Sequence, residues 1–253
     1  MNEMRKPPKT SRKELLIIQL LPNAITLGAI CLGLTAIRSA AFGSVSFAAA
    51  LIVLAGILDG LDGRLARALG SESLLGAELD SLADFLNFGV APAIIIYFWV
   101  LQSTPDIGWA AVLVYALCCV MRLARFNVGI KSAAGNDPRF FEGVPSPAGA
   151  LLALGPLFLS NAIPGLAPLP PVAVAVYLAL VGGLMICRLP TFAVKSAKIY
   201  ADHAPYVLLG AVGVLTALAV LPWITLALFD VAYLISLVFA FRASRKPLAK
   251  PEV

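Results

Sequence analysis

Charge is scarce in this 253-residue chain: 13% of its residues are Asp, Glu, Lys or Arg, where soluble domains carry roughly 25%. Histidine is all but missing. His203 stands alone, which excludes a histidine-cluster metal site and gives no footing to a Ser/His/Asp triad. Cysteine is sparse too. Cys31, Cys118, Cys119 and Cys187 all sit in apolar runs without a CxxC pair, so neither a disulfide scaffold nor a thiolate metal site is expected. They read as buried reduced thiols, because free cysteine packs as a small hydrophobe. What fills the chain instead is apolar residue, at 60%. A water-soluble core of this length cannot hide so much apolar surface, and disorder is excluded for the same reason. The composition is that of an all-α polytopic membrane protein.

Apolar stretches cover residues 15–40, 45 to about 59, 74–101, 109–123, 147–162, 171–187, 205–221 and 223–241, which predicts about eight membrane passes at ~20 residues each. AFGSV, STPDIG and NAIPGLAPLPP read as turns on one side. The N-terminus, MNEMRKPPKTSRKELL, is basic, and no small-residue cleavage site follows promptly, so it is expected to stay in the mature protein. Basic residues decide the orientation. Of the 19 Lys and Arg, Arg38 alone falls on the far side of an eight-pass arrangement. The others, including Arg64, Arg67, Arg122, Arg125, Lys131, Arg139, Arg188, Lys195, Lys198 and Arg242, share one side. By the positive-inside rule that side is the cytoplasm, and both termini face it. An inner or cytoplasmic membrane location follows, with no nucleic-acid partner expected.

The stretch LDGLDGRLARALGSESLLGAELDSLADFLNFGVA breaks the apolar pattern with Asp59, Asp62, Asp80 and Asp84 at the cytoplasmic ends of two consecutive passes. A carboxylate there costs ~2.5–3.5 kcal/mol on insertion scales and is functional by default. Asp59 and Asp62 lie one helical turn apart, as do Asp80 and Asp84, so each pair shares a face. The short linker at 68–73 makes the two helices antiparallel neighbours. Four carboxylates so placed repel unless cations sit between them, and carboxylate-only ligation suits Mg²⁺ or Mn²⁺. A pair of such metals is the usual clamp for phosphoryl displacement. Gly63, Ala66 and Gly76 lie one turn from the aspartates and clear space, while Arg67 offers a planar fork to phosphate. Pairing of the aspartates with Arg64, Arg67 and Arg122 as structural ion pairs is the plainer alternative. The lone Asp230 in the last apolar run reads as an interhelical hydrogen bond or a near-interface residue; a proton or ion relay is the functional alternative.

The spaced pattern Asp59-x2-Asp62-Gly63-x2-Ala66-Arg67-x8-Gly76-x3-Asp80-x3-Asp84 resembles, without departure, the signature of the CDP-alcohol phosphatidyltransferases. The resemblance implies a six-helix membrane core over 15–204, usually in a homodimer. A basic cytoplasmic segment (1–14) would precede it; two additional transmembrane helices (205–241) and a basic cytoplasmic tail (242–253) would follow. It implies divalent metal, two Mg²⁺ or Mn²⁺ ions, on Asp59, Asp62 and Asp80. Asp84 would complete the metal site and act as the base on the acceptor hydroxyl. Gly63, Arg67 and Gly76, with Asp59, Asp62, Ala66 and Asp80, would form the CDP and phosphate site.

Leu21–Thr26 is general to that family. The segments Phe88–Ala93, Arg122–Asn127, Phe141–Ala148 and Arg188–Thr191 are similar to those of its membrane-integral phosphatidylserine synthase branch. That likeness implies CDP-diacylglycerol and L-serine as substrates, with CMP as the by-product. Arg122 and Arg125 are candidates for the serine carboxylate; Lys131, Arg188 and Lys195 are lesser ones. Anchoring by the positive-inside effect is the alternative role for the arginines. Glycerol 3-phosphate, choline, inositol or a phosphatidylglycerol remain as other acceptors. Outside the enzyme class the rival is a divalent-cation transporter, which also uses acidic groups and Gly/Pro-interrupted helices.

Overall fold

A computed structural model of the chain describes residues 20–132, 140–187, 190–192 and 204–244. The basic N-terminal segment, Arg139, Arg188, Lys195, Lys198, His203 and the tail past 244 lie outside the described residues. The fold is helical, as expected, and runs α1 (Leu21–Ala41), α2 (Val45–Ala68), α3 (Leu74–Asp84), a π-helical turn (Phe85–Val90) and α4 (Ala91–Trp99). It continues through α5 (Pro105–Ser132), α6 (Ser146–Ala162), α7 (Pro171–Ile186), α8 (Ala204–Val220) and α9 (Pro222–Ser244). Counting α3, the π turn and α4 as one, the described residues form eight helical segments, consistent with a polytopic membrane protein. Among the described residues, five are long and apolar enough to cross a membrane: Leu21–Ala41, Val45–Ala68, Leu74–Trp99, Pro105–Val128 and Pro222–Ala240.

Some predicted boundaries move for local reasons. The second pass does not fade at Asp59 but continues to Ala68, so Asp59 and Asp62 are interior helical residues. The fourth opens at Pro105, not at 109: proline suits a first helical position, where its missing N–H is no loss. Asp106 follows in the first turn, at the positive end of the helix dipole. The cysteines are all free, yet Cys31 and Cys187 are exposed, Cys118 is half-buried and only Cys119 is buried. Apolar surroundings in the sequence did not mean burial, because a membrane helix turns much of its apolar surface outward.

Small residues let the first two passes approach closely. The α1–α2 pair packs along its length, and Ala36 and Ala40 of α1 and Ala48, Ala49 and Ala55 of α2 are buried, small residues of the kind that lets membrane helices approach. Gly43 turns the chain between them with φ +83°, a conformation open to glycine at no steric cost. The next hairpin is closed by two helix caps. Gly70, φ +58°, ends α2 by donating to the Arg67 carbonyl, while Ser71 N–H reaches the Ala66 carbonyl; together they form a Schellman stop. Ser73 then starts α3 by accepting from Gly76 N–H at 3.0 Å, an N-cap.

Prolines within the membrane are compensated by tyrosines. Pro92 carries no N–H for the Phe88 carbonyl four residues back, and the Tyr115 hydroxyl donates to that carbonyl at 2.8 Å. Pro156 inside α6 likewise frees the Leu152 carbonyl, which accepts from Tyr177 at 2.8 Å. In hydrocarbon an unpaired carbonyl costs several kcal/mol, so a kinked pass requires such a donor.

Two features lie outside a purely helical expectation. A three-residue antiparallel ribbon pairs β1 (Phe140–Glu142) with β2 (Pro190–Phe192) in register Phe140↔Phe192, joining two segments singled out in the sequence. The ribbon is too short to show a period-2 pattern. The last pass is also no appendage: α9 packs on α6 and on β2, burying Leu226, Asp230, Leu237 and Ala240.

Candidate active site

The four aspartates come to one end of the bundle, where α2 finishes and α3 begins. They are not equivalent. Asp59 and Asp84 meet in side-chain hydrogen-bonding contact across the α2–α3 pair. Asp62 is only 4% exposed, and its Oδ2 accepts from the Thr26 hydroxyl of α1 at 2.5 Å. That hydroxyl also lies 3.1 Å from the Pro22 carbonyl, but it has one proton and the shorter contact is to the carboxylate. Asp80 is exposed and lies within electrostatic reach of Asp59 and Asp62.

Beside them opens a cavity of about 300 Å³ lined by α1, α2, the connecting loop and α3. Asp62, Gly63, Ala66, Arg67, Gly76 and Asp80 line it, whereas Asp59 and Asp84 do not. Space is tight at one of the two glycines and open at the other. A Cβ on Gly76 would stand 3.0 Å from Asn23 Oδ1 and 3.1 Å from Ser73 Oγ. One on Gly63 would meet only Arg67 Nη1, at 3.7 Å, and would project toward the cavity. Arg67 itself is exposed, free to turn its guanidinium to a phosphate.

Among the described residues no three Asp, Glu, His or Cys side chains are drawn tightly enough together to hold a metal ion. The donor set nevertheless fits a hard divalent cation. It consists of carboxylate oxygens alone, and two of them, Asp62 Oδ1 and Asp84 Oδ1, are buried without a hydrogen-bond partner. Purely structural ion pairs would leave no such oxygens over.

The two candidate arginines separate. Arg122, on α5, lies within electrostatic reach of Asp84. Its Nη1 donates to the Ser146 hydroxyl at the start of α6, and its guanidinium lies 5.9 Å from the centre of the Phe126 ring. Arg125 is exposed and donates from Nη1 to the Ile186 carbonyl at 2.8 Å. This satisfies an orphan carbonyl at the end of α7, and it ties two helices rather than facing the aspartates. Lys131 closes α5, but its side chain lies outside the described residues.

Several site residues escaped the motif. Thr26 and Asn23 belong to the opening segment of α1 that marks the family in general, yet nothing in their spacing announced a hydrogen bond to Asp62. Asn87, one turn beyond Asp84, is fully buried with neither side-chain polar atom partnered among the described residues. It is seated against Gly33, where any Cβ would overlap its carboxamide. The π turn that carries it has no sequence signature beyond Pro92. Asp230 lies midway along α9, 7% exposed, beside Gly155 and Tyr177, with Oδ2 unpartnered among the described residues.

The family model described as CDP-alcohol phosphatidyltransferase matches residues 19–187, from just before α1 to the end of α7. A CDP-diacylglycerol–serine O-phosphatidyltransferase of Mycobacterium leprae is 39% identical over 240 residues, 93% of this chain and 79% of that protein. Its counterpart in Mycobacterium tuberculosis is 38% identical over 256 residues, 93% of this chain and 83% of that protein. One from Helicobacter pylori is 41% identical over 144 residues, 57% of this chain and 60% of its own.

Proposed function

The chain belongs to the CDP-alcohol phosphatidyltransferase family, and on that premise we propose that it transfers the phosphatidyl group of CDP-diacylglycerol to L-serine, releasing CMP. The observation that carries this is the cavity lined by Asp62, Asp80, Gly63, Gly76 and Arg67, with Asp62 Oδ1 buried and unpartnered beside it. The name borne by the mycobacterial relatives, which align along nearly the whole chain, supports serine as the acceptor.

In this reading the nucleotide diphosphate enters the cavity, where glycine and alanine leave the backbone approachable and Arg67 takes a phosphate oxygen. Asp59, Asp62 and Asp80, with Asp84 completing the set, would hold Mg²⁺ or Mn²⁺. Such an ion, when bound, polarises the phosphoryl oxygens and offsets their developing charge. Thr26 orients Asp62, leaving its second oxygen free. Asp84 takes the proton of the serine hydroxyl. The hydroxyl oxygen bonds to the phosphorus that carries the diacylglycerol, the bond from that phosphorus to the bridging oxygen breaks, and CMP leaves with it.

The basic ends of α2 and α5 flank this site and Arg38 lies at the other end of α1. By charge asymmetry the site therefore faces the cytoplasm, where serine arrives, and the lipid enters sideways from the inner leaflet. The core over 15–204 carries the reaction. We propose a homodimer as well, on the family resemblance; cross-linking in native membranes that yields monomer alone would count against it. Incubating the purified chain with CDP-diacylglycerol, Mg²⁺ or Mn²⁺ and a panel of alcohols tests the acceptor. CMP should appear with L-serine and much less with choline, inositol or glycerol 3-phosphate. Better use of glycerol 3-phosphate, or cation flux in proteoliposomes without CMP release, would overturn the assignment.

A further inference from the structure

A second cavity of about 300 Å³ opens between α6, α7 and α9 and shares no lining residue with the nucleotide cavity. Leu169, in the connection from α6 to α7, lines it. It therefore lies toward the end of the bundle opposite Ser146, which opens α6 and binds Arg122. Its polar lining side chains among the described residues are Asp230 and Tyr177. Asp230 is 7% exposed, and its Oδ2 has no hydrogen-bond partner among the described residues. That oxygen occupies the space a side chain on Gly155 would need. A Cβ there would stand 2.8 Å from Asp230 Oδ2 and 3.2 Å from the Tyr177 hydroxyl. Tyr177 does not satisfy the carboxyl, because its one proton goes to the Leu152 carbonyl that Pro156 frees.

A buried polar atom without a partner is costly and demands an explanation, and an acid within an apolar pass is functional by default. The lining decides which ligand could supply the missing bond. It presents acceptors, the Asp230 carboxyl and the lone pairs of Tyr177, and among the described residues no basic group. A phosphate or a fatty acid carboxylate would find no cation there, and a buried unpaired charge is prohibitive. Position narrows the class further. Asp230 stands eight residues after Pro222, roughly 12 Å along α9 at ~1.5 Å per residue, inside the candidate span Pro222–Ala240. An ammonium taken there must shed its water, a cost that pairing with a carboxylate need not recover. A hydroxyl carries no charge and brings the donor that Oδ2 lacks. We propose that this cavity binds the hydroxyl end of a neutral long-chain alcohol dissolved in the membrane, with its chain against the apolar walls of α6 and α9. A volume of about 300 Å³ is at the lower end of small-molecule sites; it suits a single chain with a small polar end.

The test is photolabelling of the full chain in phosphatidylglycerol vesicles with a hexadecanol that carries a diazirine near its hydroxyl. Adducts should map to the cavity walls on α6, α7 and α9. Unlabelled hexadecanol should compete about tenfold better than its methyl ether, which keeps the chain and lacks the donor. Asp230→Leu keeps the bulk and removes the carboxyl. It should weaken labelling about tenfold, while the melting temperature holds or rises because no hydrogen bond is lost within the protein. Adducts spread evenly over the lipid-facing helices, or equal competition by the ether, would overturn the proposal. So would unchanged labelling of a folded Asp230→Leu. Stronger competition by palmitate or hexadecylammonium would also overturn it and give the cavity to a charged ligand. Should Asp230→Leu fail to fold, the comparison of alcohol with ether on wild type decides by itself.

Discussion

The Tyr115 hydroxyl donates to the Phe88 carbonyl at 2.8 Å, the group that Pro92 leaves without a backbone donor four residues on. The bond lands inside the π turn Phe85–Val90, which begins at the residue after Asp84, so a fully buried tyrosine on α5 is tied to the segment that follows the proposed base. Tyr115→Phe should lower stability by about 1–3 kcal/mol, the cost of an unsatisfied buried acceptor. Pro92→Ala restores a potential N–H donor, so Tyr115→Phe should cost much less in that background. Thermal melts of the four proteins of the double-mutant cycle measure the difference. Additive losses would refute the link between the proline and the tyrosine.

Thr26 makes a second prediction. Its hydroxyl binds one oxygen of Asp62 and so presents the other to the site. Thr26→Val keeps the shape and removes the donor. It should raise the Mg²⁺ or Mn²⁺ concentration needed for half-maximal CMP release by roughly tenfold, the range seen when a group that orients a metal ligand is lost. Thr26→Ser should restore the wild-type requirement. A serine variant no better than the valine one would assign Thr26 to packing alone.

Much of this site was legible in the sequence, and its limits have physical causes. The aspartates, Gly63, Gly76 and the short hairpin are local: helical periodicity and cap residues dictate them, and Gly70 and Ser73 carry that instruction. The inequality of the aspartates was not legible. Asp62 turns to Thr26 and Asp59 to Asp84 because α1 approaches α2 on one side only, a contact between residues 36 apart in sequence. Pro92 and Pro156 announce freed carbonyls, but no periodicity tells which tyrosine will reach them. Burial failed as a guide for Cys31 and Cys187 because apolar patterning in a membrane helix does not separate lipid from core.

The base and the metal ligands should part company kinetically. Asp84→Asn removes the proton acceptor and should lose most turnover while CDP-diacylglycerol still binds, because a base acts only during chemistry. Asp59→Asn, Asp62→Asn and Asp80→Asn should raise the metal requirement or abolish turnover, and chelator should abolish wild-type activity until metal returns. Single-turnover CMP release with donor binding measured in parallel separates the two classes. Wild-type turnover in Asp84→Asn would sink its assignment as the base.

Orientation can be read from the hairpin between α2 and α3. Glu72 is exposed in that loop and lines the nucleotide cavity. In a background lacking all four native cysteines, Glu72→Cys should be labelled by an impermeant maleimide only after the cytoplasmic face is opened. Replacing the native thiols is necessary because Cys31 and Cys187 are themselves exposed. Labelling of intact cells from outside would invert the topology and move the whole site to the other face.

The two arginines on one turn of α5 offer the sharpest separation of binding from architecture. Both stand in the segment Arg122-Leu123-Ala124-Arg125, and the sequence offers each to the serine carboxylate on equal terms. Their surroundings differ. Arg122 is half-buried beside Asp84 with Nε unpartnered, whereas Arg125 is exposed and spends a donor on the Ile186 carbonyl at 2.8 Å. A lysine cannot reproduce a guanidinium fork but can reach a single carbonyl. Arg122→Lys should therefore raise the serine KM markedly with little change in the CDP-diacylglycerol KM, the signature of a contact to the acceptor alone. Arg125→Lys should leave both constants near wild type. Arg125→Ala should cost stability, about 1 kcal/mol for a solvent-exposed hydrogen bond from a charged group, with serine affinity preserved once the folded fraction is taken into account. A serine KM that responds to Arg125→Lys and ignores Arg122→Lys would reverse the assignment and move the acceptor pocket to the α5–α7 edge.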